Sequence, residues 1–371
     1  MIPRARCIST RIRQLAPSHF IGTLDRKAPM GATIQEVAAA AHVSVSTVSR
    51  AFNRPDLVSK KTRHRVIEKA RKLDFTILRS ATALKSGRAF RIALLVSGPI
   101  SSWFNASILE GLNTVFRPAE YDLAIWQIGT YTEQQCFFDD LPERRNVDAV
   151  VVSSFDIKTH EIDRLATMGV PLIGINSPID ARMAASVNTD DFHGGALMAN
   201  HLISLGHRNI VFVATRTAER ILRFSANRRW ESFARTCKLK EINPRLIVTE
   251  RRPNMAEVLS DRLLTMKSRP TAVACQDDEI AIPLLLELRH RNVAVPGQFS
   301  IIGFDDSRYA RETGLTTIRQ LPIQLGMIAG TKILDLLNKG KTNSPFESCT
   351  AALIERNSTA TPKNPDTILV N

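Results

Sequence analysis

Hydrophobic residues are spaced in two different ways along this chain, and the change comes at Phe90. Before it they fall on single faces of short helices; after it they come in short β-rich runs separated by helix-length segments. In "VSVSTVSRAFN", residues 43–53, a helical winding gathers Val45, Ser46, Ser49, Arg50 and Asn53 in one arc. Ser44, Thr47, Val48, Ala51 and Phe52 take the other arc. One side can pack, and the other presents small hydroxyls and one guanidinium. Just upstream, "TIQEVAAAAHVS" has Thr33 and Glu36 at capping-box spacing, which predicts a helix of roughly two turns from Ile34. His42 stands where the following turn needs a left-handed residue, and Ser44 is placed to cap the next helix. Ser59 caps a third, with Val66, Ala70 and Leu73 on one stripe and Lys60, Lys61, Arg63, Arg65 and Lys69 around it. Such a trio, with a tight turn between the first two, describes a helix-turn-helix whose second helix enters the major groove of DNA.

From Phe90 the runs "FRIALLV", "YDLAIWQ", "VDAVVVSS" and "PLIGIN" predict strands, with helices around 105–117, 133–144 and 159–168. A second set, "NIVFVA", "TAVACQ" and "SIIGFDD", is separated by helical stretches at 191–205, 228–237 and 278–290. Repeated strand–helix units build parallel sheets. About 280 residues exceed one ordinary α/β domain, so two subdomains with a cleft between them are expected. The fold class is thus an all-α helix-turn-helix headpiece followed by an α/β domain of two parallel-sheet subdomains. Ligands of such sheets bind at the carboxyl ends of the strands. Ser97 follows "IALLV", Asp190 follows "ASVNT", Asp277 follows "TAVACQ" and Asp305 closes "SIIGFD". An Asp after a strand can equally be the N-cap of the next helix, and both roles are open to Asp190 and Asp277.

Charge sharpens the division. The 50 Lys and Arg against 36 Asp and Glu give a net charge of +14, of which residues 1–90 carry +13 and the remaining residues +1. A basic module joined to a neutral body implies phosphate neutralisation by the module and other work for the body. Cys7, Cys136, Cys237, Cys275 and Cys349 are scattered and odd in number, with no C-x-x-C, which suggests reduced cytosolic thiols. No apolar run reaches the ~18 residues of a membrane span. Phosphate loops, nucleotide fingerprints, nucleophile elbows and zinc helices are missing from the sequence, so no enzyme, cofactor or metal site is expected.

Residues 32–85 resemble the DNA-binding headpiece of the lactose repressor (LacI) family of bacterial transcription regulators, through "TIQEVAAAAHVSVSTVSRAFN" and "VSKKTRHRVIEKARKLDF", and further motifs carry the likeness to about residue 360. The resemblance implies that Val45, Ser46 and Arg50 read bases while Ser44, Thr47 and Asn53 help hold phosphates. Val offers methyls to thymine, and Arg can grip guanine with two hydrogen bonds. It also makes "ILRSATALKSGR" a hinge helix that folds on DNA, with Leu84 as the wedge in the minor groove and Ala81 and Lys85 matching. Ile77, Leu78 and Thr82 depart there from the family's usual Pro, Asn and Arg or Gln. The implied organisation is a basic extension at 1–30, a helix-turn-helix at 31–76, a hinge at 77–90, an effector-binding and dimerisation domain at 91–362 and a tail at 363–371.

Matched position by position, Ser97, Asp190, Arg229, Asp277 and Asp305 take the family's effector-contacting places. Asp277 stands where Asn is usual, and in "NRRWESF" Ser232 takes the Gly place before Phe233. Carboxylates that accept paired hydroxyl hydrogens, an Arg, and an aromatic wall from Trp103 or Phe104 suit a sugar or another polyol. "HLISLGHRNIVFV" is a further family marker with a structural reading: Gly206 ends a helix, and His207 and Arg208 sit near its negative end. The expected partners are double-stranded operator DNA, a small sugar-like effector and a second copy of the chain, in a cytoplasmic, nucleoid-associated repressor with no membrane contact. Little follows "LIERNSTAT" and no leucine heptad is among it, so a dimer without tetramerisation through the tail is expected. A transport-type solute-binding protein sharing the body's fold is the alternative. It needs a signal peptide, and residues 1–30 offer arginines without an apolar core of ~7–15 residues. Residues 1–29 have no periodic apolar face and precede Met30 in "MGATIQEV"; they are expected to be disordered and untranslated in the cell.

Overall fold

The computed structural model describes residues 32–53, 55–75, 87–144, 146–216 and 224–362. The chain divides at Ala89 into two units. Residues 1–31, the tail from 363 and the hinge positions Leu84 and Lys85 lie outside the described residues.

In the first unit, α1 (Ile34–Ala41), α2 (Val45–Asn53), a short 3-10 helix (Pro55–Leu57) and α3 (Lys60–Lys72) follow the local signals. Thr33 Oγ1 accepts the Glu36 N–H at 3.3 Å, and the Glu36 carboxylate accepts the Thr33 N–H at 2.6 Å. That reciprocal pair satisfies two of the N–H groups a helix start leaves unpaired. His42 takes the left-handed conformation (φ 52°, ψ 51°) and donates its N–H to the Ala38 and Ala39 carbonyls. Ser44 Oγ accepts the Thr47 N–H at 3.2 Å, and Ser59 Oγ accepts the Thr62 N–H at 3.2 Å. Val37, Ala41, Val48, Ala51 and Val66 form the buried centre. Leu73 does not join that stripe as expected. Helix α3 stops at Lys72, Leu73 becomes its C-cap and is 37% exposed, and Phe75 turns back instead to pack 6.0 Å from the Phe52 ring.

In the second unit the first lobe holds β1 (Arg91–Ser97), α4 (Trp103–Phe116), β2 (Asp122–Ile128), α5 (Tyr131–Arg144), β3 (Ala149–Ser153), α6 (Thr159–Thr167), β4 (Leu172–Ile175) and β5 (Ala185–Thr189). The chain then crosses to the second lobe, with α7 (Asp191–Ser204), β6 (Ile210–Thr215), α8 (Phe224–Lys238), β7 (Arg245–Thr249), α9 (Met255–Thr265), β8 (Ala272–Cys275), α10 (Asp278–His290), β9 (Ser300–Asp305), α11 (Ala310–Thr313) and β10 (Thr316–Arg319). It returns through α12 (Pro322–Lys339) and β11 (Phe346–Cys349) and crosses once more to β12 (Ala352–Ile354). The sheets run β11-β5-β4-β3-β1-β2 and β12-β10-β9-β8-β6-β7. All pairs are parallel except β10 with β12, where Thr317 faces Ile354.

Both faces of each sheet are covered, which is why the central strands read as unbroken apolar runs. In the first lobe Ile92, Leu94 and Val96 pack on Ile108, Leu112 and Leu325, while Ala93 and Leu95 face Phe138 and Ile162. In the second, Val211, Val273 and Ile301 meet Leu284 and Leu288, and Phe212 and Ile302 meet Met198 and Phe233. Helix α12 reaches the first lobe's core because glycines let it touch α4. A Cβ on Gly111 would stand 2.1 Å from the Ile323 carbonyl oxygen, and one on Gly326 2.5 Å from that of Ile108.

Candidate functional site

The parallel strands of both lobes end at one cavity of about 330 Å³. From the first lobe come Ser97 at the end of β1, Ser154 after β3 and Asn176 after β4, joined by Phe104 and Asn105 of α4. From the second come Thr215, Gln276, Asp305 and Gln320, at or just after the ends of β6, β8, β9 and β10. Strand ends gather here because every helical crossover begins there, leaving side chains and helix N-termini facing the gap.

The charged floor is built on Arg229, which is 6% exposed. Its Nε donates to Asp191 Oδ1 at 2.8 Å and its Nη1 to the Gln276 carbonyl at 2.9 Å. Nη1 also lies 3.7 Å from Asp305 Oδ1, and the guanidinium sits 3.6 Å above the Phe304 ring. The carboxylates offset part of the cost of burying this cation, and the ring face adds to it. Asp305 has φ 127° and Asp306 φ 53°, so the turn after β9 holds two non-glycine residues at positive φ where the chain passes the site. Burial pushes the Asp305 carboxyl well above the usual carboxylate range, with Arg229 opposing. Its Oδ1 accepts Gln320 Nε2 at 2.5 Å, and Gln320 Oε1 in turn accepts the Thr189 hydroxyl at 3.1 Å. Behind it, Asp278 is fully buried, accepts the Ser307 N–H and the Thr317 hydroxyl at 2.8 and 2.7 Å, and is pushed by burial up to about 7.

Asp277 both caps a helix and lines the cavity. Oδ1 caps α10 by accepting the Ile280 N–H at 3.1 Å, while Oδ2 accepts Arg251 Nη2 at 2.6 Å on the cavity wall. Arg251 Nη1 donates to Glu279, whose Oε1 accepts the backbone N–H of Trp103 at 3.2 Å across the cleft. Among the residues named from sequence, Ser97, Phe104, Arg229, Asp277 and Asp305 line the cavity together. Asp190 does not. It is exposed and caps α7 by accepting the His193 N–H at 2.9 Å; one helical step further on, Asp191 is the buried partner of Arg229. Trp103 is absent from the lining as well, for it is the first residue of α4 and offers its N–H where its ring was expected. Phe233, fully buried, packs against Phe212 at 5.1 Å as core. Asp191, Arg251, Gln276, Glu279 and Gln320 were not singled out from sequence, although the Asp-Asp-Glu run after "VACQ" put carboxylates at one helix start.

His207 follows Gly206 at the end of α7, where its N–H donates to the Leu202 carbonyl at 3.1 Å, but its ring turns into the interior. It is 1% exposed, with Nδ1 2.8 Å from Thr271 Oγ1 and Nε2 3.0 Å from Ser300 Oγ and from the Ala360 carbonyl. Arg208 does serve that end, donating Nη1 to the Ile203 carbonyl at 3.2 Å, beside Gly206 at φ 96°.

On α2, Ser44, Ser46, Arg50 and Val45 are exposed, Val45 at 41%. Ser44 Oγ stands 2.8 Å from Ser46 Oγ and 2.9 Å from Thr47 Oγ1, so three hydroxyls cluster at the start of the helix. Asn53 is its last residue. Among the described residues no group of His, Cys, Asp and Glu could hold a metal, and no helix is long and apolar enough to cross a membrane.

Residues 33–76 match bacterial regulatory proteins of the lacI family, and residues 199–359 match a periplasmic binding protein-like domain. Over 321 residues the chain is 25% identical to the probable HTH-type transcriptional repressor ExuR of Bacillus subtilis strain 168, covering 84% of this chain and 93% of that one. The lac repressor dimer bound to operator and the anti-inducer ONPF shares the fold with a TM-score of 0.76, at 21% identity over 89% of this chain and 99% of the other. A LacI family regulator from Enterococcus faecium with bound ribose matches with a TM-score of 0.64, at 24% identity over 74% of this chain and all of that one.

Proposed function

The chain belongs to the lacI family of bacterial regulatory proteins, and from that premise we propose that it is a cytoplasmic repressor that binds operator DNA as a homodimer and is controlled by a sugar-like effector in the cleft. The observation that carries this reading is the pairing, in one chain, of an exposed recognition-type helix with a preassembled polar cavity at the strand carboxyl ends. On this reading Val45, Ser46 and Arg50 face bases, Ser44, Thr47 and Asn53 face phosphates, and Leu84 with Lys85 belongs to a hinge at 77–90 that joins headpiece to body. Ser97, Phe104, Arg229, Asp277 and Asp305 hold the effector. Bound ribose in the E. faecium regulator supports a polyol, as do carboxylates able to accept hydroxyl hydrogens. A single headpiece buries too little DNA for tight specific binding, and two half-sites supply the rest.

The test is selection of bound sequences from random DNA by the purified protein, repeated with Arg50→Ala. A side chain bidentate to a base makes that change cost ~1–3 kcal/mol and relaxes one position per half-site. Lys60→Ala should weaken all sequences alike. Unchanged sequence preference in Arg50→Ala means that α2 does not read DNA as proposed, and a stable monomer by light scattering under binding conditions removes the dimer.

A further inference from the structure

Both arginines at the cavity are already engaged by protein. Arg229 serves Asp191, the Gln276 carbonyl and Asp305, and Arg251 serves Asp277 and Glu279. Three carboxylates, of Asp191, Asp277 and Glu279, therefore meet two cations, with the burial-raised carboxyl of Asp305 beside them and Asp278 buried behind. What the wall offers a ligand is mainly acceptor lone pairs. The two arginines differ in how they are held. Arg229 is sealed under Phe304, and its loss strands the buried Asp191. Arg251 comes from the segment between β7 and α9, and its side chain keeps 40% of its surface exposed. It can be exchanged without opening the core.

We propose that Arg251 is the residue that sets the charge of the ligand this cleft accepts: by neutralising the Asp277 and Glu279 pair it tunes the cavity to an uncharged, hydroxyl-rich molecule, while the acid surplus excludes carboxylated and phosphorylated ones. The proposal rests on the reading of the cleft as an effector site. Hydroxyls donate to carboxylates, so a neutral polyol satisfies this wall, and an anion brings acceptors to acceptors. Repulsion grows once the closing cleft expels water, because the same charges then interact through a lower dielectric. Ser225 Oγ, buried on the cavity wall and without a hydrogen-bond partner, is a further place where a ligand hydroxyl finds a match. Asp277 itself replaces the Asn usual in the family resemblance, which brings in the charge that Arg251 answers.

The experiment uses the full-length protein and a panel of hexoses and pentoses, each as the neutral sugar, its uronate, its sugar phosphate and its amino sugar. Binding is read by thermal shift and titration calorimetry, and operator affinity by fluorescence anisotropy. The wild type should be stabilised by at least one neutral sugar and by none of its anionic counterparts. Arg251→Met should lose about tenfold affinity for that sugar, about 1.4 kcal/mol, and gain affinity for the amino counterpart. Arg251→Lys, which keeps the charge, should retain the wild-type ranking, and Glu279→Gln, which removes one acid, should move it toward the uronate. An anionic ligand in the wild type, a panel without a neutral ligand, or an unchanged ranking in both Arg251→Met and Glu279→Gln overturns the assignment. A neutral sugar that binds with this ranking but leaves operator affinity unaltered keeps Arg251's role and sinks the regulatory reading; an anion that alters operator affinity does the reverse.

Discussion

The two lobes meet the same cavity with different chemistry. The first presents Ser97, Phe104, Asn105, Ser154 and Asn176 without a formal charge, and the second presents Arg229, Arg251, Asp277, Glu279 and Asp305. The difference follows from what it takes to bury an ion. Arg229 needs Asp191 from α7, Asp305 from β9 and the Phe304 ring, and all of them belong to one lobe. Ion pairs straddling the cleft would leave buried charges alone each time the lobes parted, at several kcal/mol each. Among the described residues the cavity-side bonds that do cross are lighter: the Trp103 N–H to Glu279, the Thr189 hydroxyl to Gln320 at 3.1 Å, and the Asn176 amide to Gln320 at 3.4 Å. On the proposed reading the second lobe holds the ligand and the first closes on it. A ligand shifts that closure only by its differential affinity for the two arrangements, typically ~1–3 kcal/mol of coupling.

The harshest way to break this asymmetry is Arg229→Met. Asp191, 4% exposed, and Asp305, 5% exposed, then lose their cation, and stability should fall by ~3–5 kcal/mol. Urea unfolding followed by circular dichroism measures it. A loss below about 1 kcal/mol, the scale of an exposed ion pair, would mean the charged floor is solvated and the two lobes are not so different.

Next comes Asp305→Ala, which keeps Arg229 paired with Asp191 but removes the acceptor at the end of β9. Effector affinity should fall by ~1.5–3 kcal/mol, the range for a hydrogen bond to a charged group. If the effector releases the protein from DNA, the variant stays bound to operator with near wild-type ligand-free affinity. If the effector is needed for binding, the variant stays weak on DNA. Anisotropy with a labelled operator distinguishes these, and a normal response to the identified effector would sink the site.

How far each feature could be seen in sequence depends on the reach of the interaction that makes it. The headpiece was legible almost residue by residue, since Thr33 with Glu36, His42 and Ser44 act within three positions of themselves. Leu73 escaped because a helix that stops one residue early changes which side chain turns inward. Strand ends located Ser97, Asp277 and Asp305 in the body. The same rule pointed to Asp190, and it is the docking of α8 on α7 that makes its neighbour Asp191 the partner of Arg229. Trp103 was assigned for its ring and contributes its N–H. Strands β7, β10, β11 and β12 and helices α9, α11 and α12 were missed. Edge strands such as "RLIVT" and "FESC" lack the unbroken apolar run of a covered strand, and the crossings that bring Gln320 to Asp305 are set by topology.

On the uncharged side of the cleft, Ser97→Ala sharpens the comparison. A neutral hydroxyl bond contributes ~0.5–1.5 kcal/mol net, so effector affinity should drop by no more than about tenfold, with operator affinity of the free protein unchanged. Calorimetry on Ser97→Ala and Asp305→Ala side by side gives the ratio. A larger loss for Ser97→Ala than for Asp305→Ala would reverse the roles assigned to the two lobes.

The smallest expected effect is on the pH dependence of stability, where the second lobe holds titrating groups that act in opposite directions. Burial pushes the His207 imidazole down to about 4. The unfolded chain, at about 6.5, takes up that proton first, so the contribution of His207 is fully present above about 6.5 and is lost as pH falls toward 4. Asp278 is pushed the other way, up to about 7, and Asp305 is raised with it. In the native state Asp278 keeps a proton that the unfolded chain releases near 3.9, so its contribution is full below about 3.9 and is lost as pH rises toward 7. Asp156 and Glu161 of the first lobe, also raised by burial, add to that second arm. Between about pH 4 and 6.5 the arms oppose, so wild-type stability should change less than the raised carboxyls alone would make it. Single changes should unmask them: relative to the wild type, His207→Gln makes stability fall more steeply as pH rises, and Asp278→Asn shifts the slope the other way. Urea unfolding at several pH values across that window reads both slopes. Wild-type profiles in both variants would show that the interior of the second lobe does not shift these groups, and would remove the physical basis for storing the cleft's charge there.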